Sequence, residues 1–484
     1  MDKTISMMDS IGKKARSFNW VKILLFNLLF CVVMVVTAQD KQWALADKIL
    51  EQIEKPVFND HTVNIIDFGA KADGKTNNSV AINRAIKACH DDGGGIVVVP
   101  EGTFYTGAIH LLSNVNLHIN EGAKLLFSID PKDYLPLVYT RWEGIDCYNY
   151  SPLIYAIDQE NIAITGKGLL QGNSSTDDWW IWKGLSAYGW KEGDSCQLMP
   201  HARPALDKAN DAGIPVTERQ MGEGFFLRPQ FINFVRCKRV LIENVTIENS
   251  PFWVIHPMLC ESVTVKGIHI NSLGPNNDGC DPESCKNMLI EGCYFNTGDD
   301  CIAIKSGRNR DGIEANIPSE NIVVRNCMME NGHGGVVIGS EISGGARNVF
   351  VENCKMDSPE LDRAIRIKTN SNRGGVVENM YVRNIEIGKV REAILRINCN
   401  YDVRREGLGT FFPLVRNINL SGITCASSKY GALLQGIEGQ DCIDNISISN
   451  SKFDGVSKGN EIEFAKNIVF DNVYINGELN SFAE

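Results

Sequence analysis

One short pattern recurs nine times from residue 239 onward and dictates what this chain can fold into: a polar residue, two residues of mixed type, an apolar residue, one more residue, then Asn or Gly. It runs Arg239-Val-Leu-Ile-Glu-Asn244, Ser262–Gly267, Asn287–Gly292, Asn321–Asn326, Asn348–Asn353, Asn379–Asn384, Asn417–Gly422, Asn445–Asn450 and Asn467–Asn472, with weaker copies starting at Asn114 and Asn161. From 239 onward, successive starts lie 22 to 38 residues apart. Units this short cannot bury a core alone and must stack on their neighbours.

Within each unit the alternation is that of a strand rich in Val and Ile, with almost no helical period. Asn and Gly end the strand because they tolerate the left-handed backbone of a sharp corner. Short parallel strands separated by corners describe an all-β, right-handed parallel β-helix. A length of 484 residues would ordinarily suggest two or three domains. The repeats instead predict one coil, spanning 39–484.

The residue after each corner forms its own column: Val245, Ile268, Cys293, Cys327, Cys354, Ile385, Ile423, Ser451 and Val473. Cysteine alternates there with valine and isoleucine, as a small buried thiol does. The fifteen cysteines are therefore read mostly as free buried thiols, with one or two bridges at most and no metal ligation, since no Cys-x-x-Cys occurs.

Two segments depart from the repeat. Ala81 to His90 reads as a short N-terminal helix capped by Ser79, suited to covering the open apolar end of the coil. Residues 171–230 form an insertion holding Trp179, Trp180, Trp182 and Trp190. It either packs on the outside of the coil or shapes a binding face. Its tryptophans suit sugar stacking and burial equally.

The first residues read as an export signal: Lys13, Lys14, Arg16 and Lys22, an apolar run from Ile23 to Val36, and Val36-Thr37-Ala38 as a small-residue cleavage site. The alternative, a retained anchor, needs about 20 apolar residues, and Asn27 interrupts a shorter run. Removing 1–38, with five basic and two acidic residues, takes the net charge from −11 to −14. So acidic a monomeric, exported protein is a poor partner for nucleic acid or an anionic membrane. An acidic substrate would have to be met by local Arg and Lys.

The chemistry concentrates on neighbouring repeats. Asp278 stands in Asn276-Asn277-Asp278-Gly279-Cys280-Asp281 and the pair Asp299-Asp300 in Gly298-Asp299-Asp300-Cys301. Asp299 and His333 each fall 12 residues past a repeat start, at Asn287 and Asn321, which puts them in one slot on consecutive turns. Arg366, Lys368 and Tyr401 also fall in the later half of their units. Any one of these features alone is ordinary surface chemistry. Stacked on adjacent turns they make an acidic notch beside a cationic shelf, and clustered carboxylates can divide acid and base work. Adjacent strand residues point to opposite sides, so Asp299 and Asp300 can share a site only if the backbone bends, as Gly298 permits. Arg366 and Lys368 alternate out of one strand with Ile367 pointing in.

Four motifs in order, Asn276-Asn277-Asp278-Gly279, Gly298-Asp299-Asp300, Gly332-His333-Gly334 and Arg366-Ile367-Lys368, resemble those of glycoside hydrolase family 28, the polygalacturonases. Asn64 to Ala70 with Asp73-Gly74, and Gly93-Gly-Gly95 before Val97 to Pro100, look like that superfamily's start, so the likeness runs from about residue 60 to 480. One departure is Asn277, where the family usually has Thr. The resemblance implies inverting hydrolysis of α-1,4-galacturonosyl linkages in pectin, with no cofactor and no metal. It also implies Asp299 as general acid, Asp278 with Asp300 activating water, His333 in support, and Asn276, Arg366, Lys368 and Tyr401 as substrate-binding residues. Adjacency alone leaves open which of Asp299 and Asp300 gives the proton. Inversion corresponds to carboxyl groups about 6.5–9.5 Å apart.

Three other readings stand beside this one. A polysaccharide lyase would share the coil and use the aspartates to hold Ca²⁺. A rhamnogalacturonan hydrolase would share the chemistry on another pectin backbone, and a non-catalytic glycan-binding coil would share only the scaffold. Endo or exo attack depends on whether loops such as 171–230 block one end of the cleft.

Overall fold

The computed structural model describes residues 42–483; the segment read as an export signal, 1–38, lies outside them. A helix occupies 42–52. The coil belongs to a compact unit that begins at Leu50. No described helix is long and apolar enough to cross a membrane.

The repeats wind into a right-handed parallel β-helix with three faces. Each repeat supplies a strand to the first face, for example Glu261–Lys266, Lys286–Glu291, Ser319–Arg325 and Ala346–Glu352, paired in parallel with Val263 opposite Met288 and Ile322 opposite Val349. After the corner a shorter strand forms the second face: His269–Ser272, Tyr294–Thr297, Met328–Asn331. The third face holds Ile255–Met258, Ile302–Ile304, Val336–Gly339, Arg363–Lys368 and Ala393–Asn398. The residues that follow each repeat start point inward and stack: Val240, Val263, Met288, Ile322, Val349, Met380, Ile418, Ile446 and Ile468 are all buried. A continuous apolar column of this kind is what holds a solenoid together.

Left-handed backbone occurs at both ends of the repeat. The terminal Asn and Gly residues take it, among them Asn244, Gly267, Asn326 and Asn353, and so do the starting residues, including Arg239 and Ser262. The starting asparagines form a side-chain ladder along the coil: Asn321 donates to Asn287 (2.9 Å), Asn348 to Asn321 (3.0 Å), Asn417 to Asn379 (3.0 Å) and Asn445 to Asn417 (2.8 Å). Asn serves here twice over, since it accepts the left-handed conformation and links its side-chain amide from turn to turn.

All fourteen described cysteines are free and buried, those of the corner column included. The capping helix runs Ser79–Asp91 and buries Ala81, Ile82, Ala85, Ile86 and Cys89. Its start differs from expectation: Ser79 is inside the helix, and the Asn77 side chain accepts from the Ser79 amide at 3.0 Å. Asn competes well with Ser as a capping acceptor.

Two additions interrupt the coil. An antiparallel hairpin, Val138–Trp142 with Ile145–Asn149, was not legible in the repeat pattern. The insertion at 171–230 consists of short 3₁₀ turns and the helix Arg203–Ala212. Trp179 is buried and packs edge-on against Trp182 (4.7 Å between centroids) and Tyr134 (5.8 Å), while the Trp180 indole donates to the Ser250 carbonyl at 2.9 Å. These indoles anchor the insertion to the coil.

The third face is broken at one turn. Cys280 to Glu283 joins its neighbours through isolated bridges, Ile255–Cys280–Ile302 and Met258–Glu283–Lys305, with the Asp281 amide donating to the Ile255 carbonyl at 2.7 Å and the Lys305 amide to the Pro282 carbonyl at 2.8 Å. Pro282 has no N–H to contribute to a ladder, and Asp281 lies beside it.

Asn348→Ala removes a ladder rung and places a Cβ-bearing residue without a compensating side chain at φ 56°. The left-handed cost of about 1–2 kcal/mol and a lost hydrogen bond of about 1 kcal/mol predict a clear drop in the urea unfolding midpoint. Asn348→Gly, which keeps the backbone comfortable, should lose less than half as much.

Candidate active site

The corner between the second and third faces carries the acids. Asn277 is fully buried and ties this corner down: its Oδ1 accepts from Ser272 Oγ (2.7 Å) and the Gly274 amide (3.0 Å), and its Nδ2 donates to the Phe252 and Pro275 carbonyls (both 3.3 Å). The residue that departs from the family pattern is thus a brace that presents Asp278. One turn on, the backbone bends at Gly298-Asp299. Gly298 is required there by close approach, since a Cβ would lie 2.2 Å from the Gly274 carbonyl oxygen; it has no left-handed φ. Thr297 Oγ1 closes the bend with contacts to the Asp299 and Asn331 carbonyls at 2.9 and 3.0 Å.

The bend brings all three carboxylates together, with one oxygen from each of Asp278, Asp299 and Asp300 within 4.8 Å of the others. This is tighter than the expected separation of about 6.5–9.5 Å. The cause is the scaffold: Asp299 and Asp300 are consecutive, and parallel strands bring the turn holding Asp278 within about 4.8 Å. Asp299 and His333 occupy one column, the His333 amide donating to the Asp299 carbonyl at 3.1 Å, and the Gly279 amide donates to the Asp300 carbonyl at 3.0 Å.

Each carboxylate has a different cationic partner. Asp300, fully buried, contacts Arg366 Nη1 at 3.3 Å and Lys368 Nζ at 2.6 Å. Asp299 contacts His333 Nδ1 at 2.9 Å. Asp278 Oδ2 lies 3.6 Å from Lys305 Nζ, while its Oδ1 is buried with no hydrogen-bond partner. Lys305 also reaches Asp281 (3.6 Å) and Glu341 (3.1 Å) and lies 4.4 Å from the Trp253 ring centroid.

These partners set where protons reside. Burial, and then the charge of Asp299, push Asp278 up to about 8. Burial would raise Asp299 too, but the His333 charge and hydrogen bond overcome it and hold this carboxyl well below the usual range. The Asp299 carboxylate in turn pushes His333 up to about 9. At neutral pH one proton therefore rests on Asp278 and another on the Asp299–His333 pair, mainly on the imidazole.

A cavity of about 200 Å³ lies over this triad, lined by Asn276, Asp278, Asp299, His333, Lys368 and Tyr401, among others. Asp300 and Arg366 are directly behind it through the ion pairs above. The eight residues singled out from sequence are thus gathered in one place. Ile367 points into the core, and the Tyr401 ring centroid lies 5.4 Å from Arg366 Cζ and 5.3 Å from Lys368 Nζ.

Sequence reasoning missed other members. Asn276 Oδ1 accepts from Lys183 Nζ (2.6 Å) and Arg228 NH2 (2.9 Å), both from the insertion. Glu143 arrives from the hairpin tip, and Lys305 and Glu341 from the third face. Lys305 could have been found, because Ile302-Ala-Ile-Lys305 has the same alternation as Arg366-Ile-Lys368 and its column leads through Gly339 to Lys368. The insertion follows no repeat, so Lys183 and Arg228 left no signal. Burial pushes Lys183 down to about 8 and lowers Arg228 as well. A guanidinium stays charged regardless, so both are cations short of counter-charge.

Comparison with known proteins identifies the family. The sequence signature of glycosyl hydrolases family 28 covers residues 223–476, and that of rhamnogalacturonase A/epimerase, pectate lyase-like, covers 62–119. The crystal structure of a hyperthermoactive exopolygalacturonase from Thermotoga maritima superposes with a TM-score of 0.87 at 44% identity, over 91% of this chain and 96% of that one. The chain belongs to glycosyl hydrolases family 28. A probable polygalacturonase of Vitis vinifera is 28% identical over 87% of this chain and 81% of its own length. An exo-poly-α-D-galacturonosidase of Dickeya chrysanthemi is 27% identical over 70% of this chain and 57% of its own. As a family 28 protein the chain is a glycoside hydrolase.

If Asp299 raises His333, Asp299→Asn should bring the His333 titration seen by NMR from about 9 back toward an ordinary imidazole value near 6.5. An unchanged titration would mean that another group supports the imidazolium.

Proposed function

We propose that this family 28 hydrolase is an exo-acting polygalacturonase that removes single galacturonate units from the end of pectic chains by inversion. One observation carries the reading: Asp278 and Asp299 line a cavity of about 200 Å³ with Asp300 behind them, and the cation Lys183 lines it too, with the buried Arg228 beside it on Asn276. That space admits one sugar ring and not a continuing chain, and the rim favours a sugar that brings its own carboxylate. The hairpin tip brings Glu143, and the insertion Lys183 and Arg203, into the lining of this cavity. The similarity to exo-acting relatives points the same way.

In this reading Asp299 delivers a proton to the glycosidic oxygen. That proton rests on the His333 imidazole, 2.9 Å away, and passes through Asp299 as the bond breaks. Asp300 accepts a proton from the attacking water, its charge balanced by Arg366 and Lys368. The unpartnered Oδ1 of Asp278 orients that water. Arg366, Lys368 and Tyr401 hold the neighbouring uronate. Export, expected from residues 1–38, fits a substrate met outside the cell.

A Ca²⁺-dependent lyase is disfavoured by the donor set. Protein cations already contact both oxygens of Asp300, Oδ1 of Asp299 and Oδ2 of Asp278, leaving little negative charge for a metal. Activity is expected to survive EDTA and to yield no ultraviolet-absorbing unsaturated product; loss in chelator would favour the lyase.

On oligogalacturonides of defined length, chromatography should show monomer and the oligomer one unit shorter as the first products, with early proton NMR reporting the β-anomer. Early dimers and trimers without monomer would reject exo attack, and a first-formed α-anomer would reject inversion. Asp299→Asn and Asp278→Asn should each lower kcat by about 10²–10⁴-fold while circular dichroism stays unchanged.

A further inference from the structure

Two cations of the insertion converge on one neutral oxygen. Lys183 Nζ donates to Asn276 Oδ1 at 2.6 Å, and Arg228 donates to the same atom at 2.9 Å. The other contacts of the Arg228 guanidinium are also neutral: the Pro251 and Pro275 carbonyls and Gln197 Oε1. Arg228 is fully buried, Lys183 is half-buried on the wall of the catalytic cavity, and neither makes an ion pair among the described residues.

The acids of that cavity do not supply the missing charge. Glu143 pairs with Arg203 and lies 3.5 Å from Arg308, Glu341 is 3.1 Å from Lys305, Asp402 is 2.5 Å from Arg405, and Asp299 is held by His333 at 2.9 Å. Asp278, raised to about 8, keeps its proton at neutral pH. Every carboxyl group lining the cavity is thus matched or protonated, and Lys183 is the cation left over. Burial lowers it to about 8; Glu143 and Asp299 offset this only in part, opposed by Arg228 and Arg203. Arg366 and Lys368 already face Asp300 at 3.3 and 2.6 Å. A desolvated ammonium beside a buried guanidinium is unfavourable while the cavity is empty and becomes favourable once an anion enters.

We propose that Lys183, steadied by Asn276 and Arg228, is the specificity-determining residue for the terminal unit: its ammonium pairs with the C6 carboxylate of the sugar in the cavity, so the enzyme accepts a uronosyl end and discriminates against a neutral hexosyl end. The inference rests on the exo reading above. A hydrolase that frees one unit through that unit's own anomeric carbon takes it from the non-reducing end.

The test compares kcat/KM for hexagalacturonate and for the same hexamer ending in a galactosyl unit at its non-reducing end, in the wild type, Lys183→Met and Lys183→Gln, by quantifying the monosaccharide released. The wild type should prefer the acidic end, and Lys183→Met should cut that preference by about 10–100-fold, the range for a hydrogen bond to a charged group, with the loss confined to hexagalacturonate. Lys183→Gln retains an amide donor for Asn276 without the charge, and should match Lys183→Met. An equal loss on both substrates, or a wild-type ratio in Lys183→Gln, means that Lys183 only braces Asn276 and overturns the assignment. The inhibition constant of free galacturonate, which needs no turnover of the galactosyl hexamer, should rise by a similar factor in both variants; an unchanged constant overturns it. Should Lys183→Met lose its circular dichroism signal, Lys183→Gln decides by the same readouts. Early dimers and trimers without monomer from wild-type hexagalacturonate would reject the exo reading first, and the assignment with it.

Discussion

In-register pairing of parallel strands is the constraint on which everything else depends. Because each turn lies about 4.8 Å above the last, any residue type repeated at one position becomes a column, whether apolar, amide or acidic. The column running from Val240 to Ile468 forms the core, the asparagine ladder locks the corners, and the Asp299–His333 column forms part of the active site. The same spacing accounts for carboxylates closer together than a generic inverting site would have. Their proximity is imposed by the backbone, and the surrounding cations make it tolerable.

That charge balance has a direction. Asp300 is flanked by two cations, Asp299 by an imidazole, and Asp278 by a lysine shared with Asp281 and Glu341. Burial, and then the charge of Asp299, raise Asp278 to about 8, whereas the imidazole beside Asp299 holds that carboxyl low. Two chemically identical side chains thereby become unequal without any change of residue type.

What could be read from sequence follows this logic. Periodicity reveals whatever recurs, so the coil, the left-handed corners, the buried thiols and the shared slot of Asp299 and His333 were legible. Elements that occur once were not. The hairpin at 138–149 and the placement of Lys183 and Arg228 follow no period, and they depend on indoles such as Trp179 finding the coil surface. Gly298 was legible as the place of a bend, but the second demand on it was not: a carbonyl oxygen of another turn lies too close for a Cβ, a contact that no local reading contains. The Ser79 cap failed for a related reason, as Asn77 offered a competing acceptor two residues earlier.

The uneven spacing of the repeats, 22 to 38 residues, arises from loops of different length at the third-face corners, among them 305–318 and 399–412, while the first-face strands stay paired, Val263 opposite Met288 and Ile322 opposite Val349. Chemistry and boundary are therefore encoded separately: the bond-breaking groups are borne by an invariant lattice, and the shape of the enclosure by segments that can lengthen or shorten independently. A scaffold of this kind can acquire a new preference for chain length through insertion or deletion at its margins, with its acid and base left undisturbed.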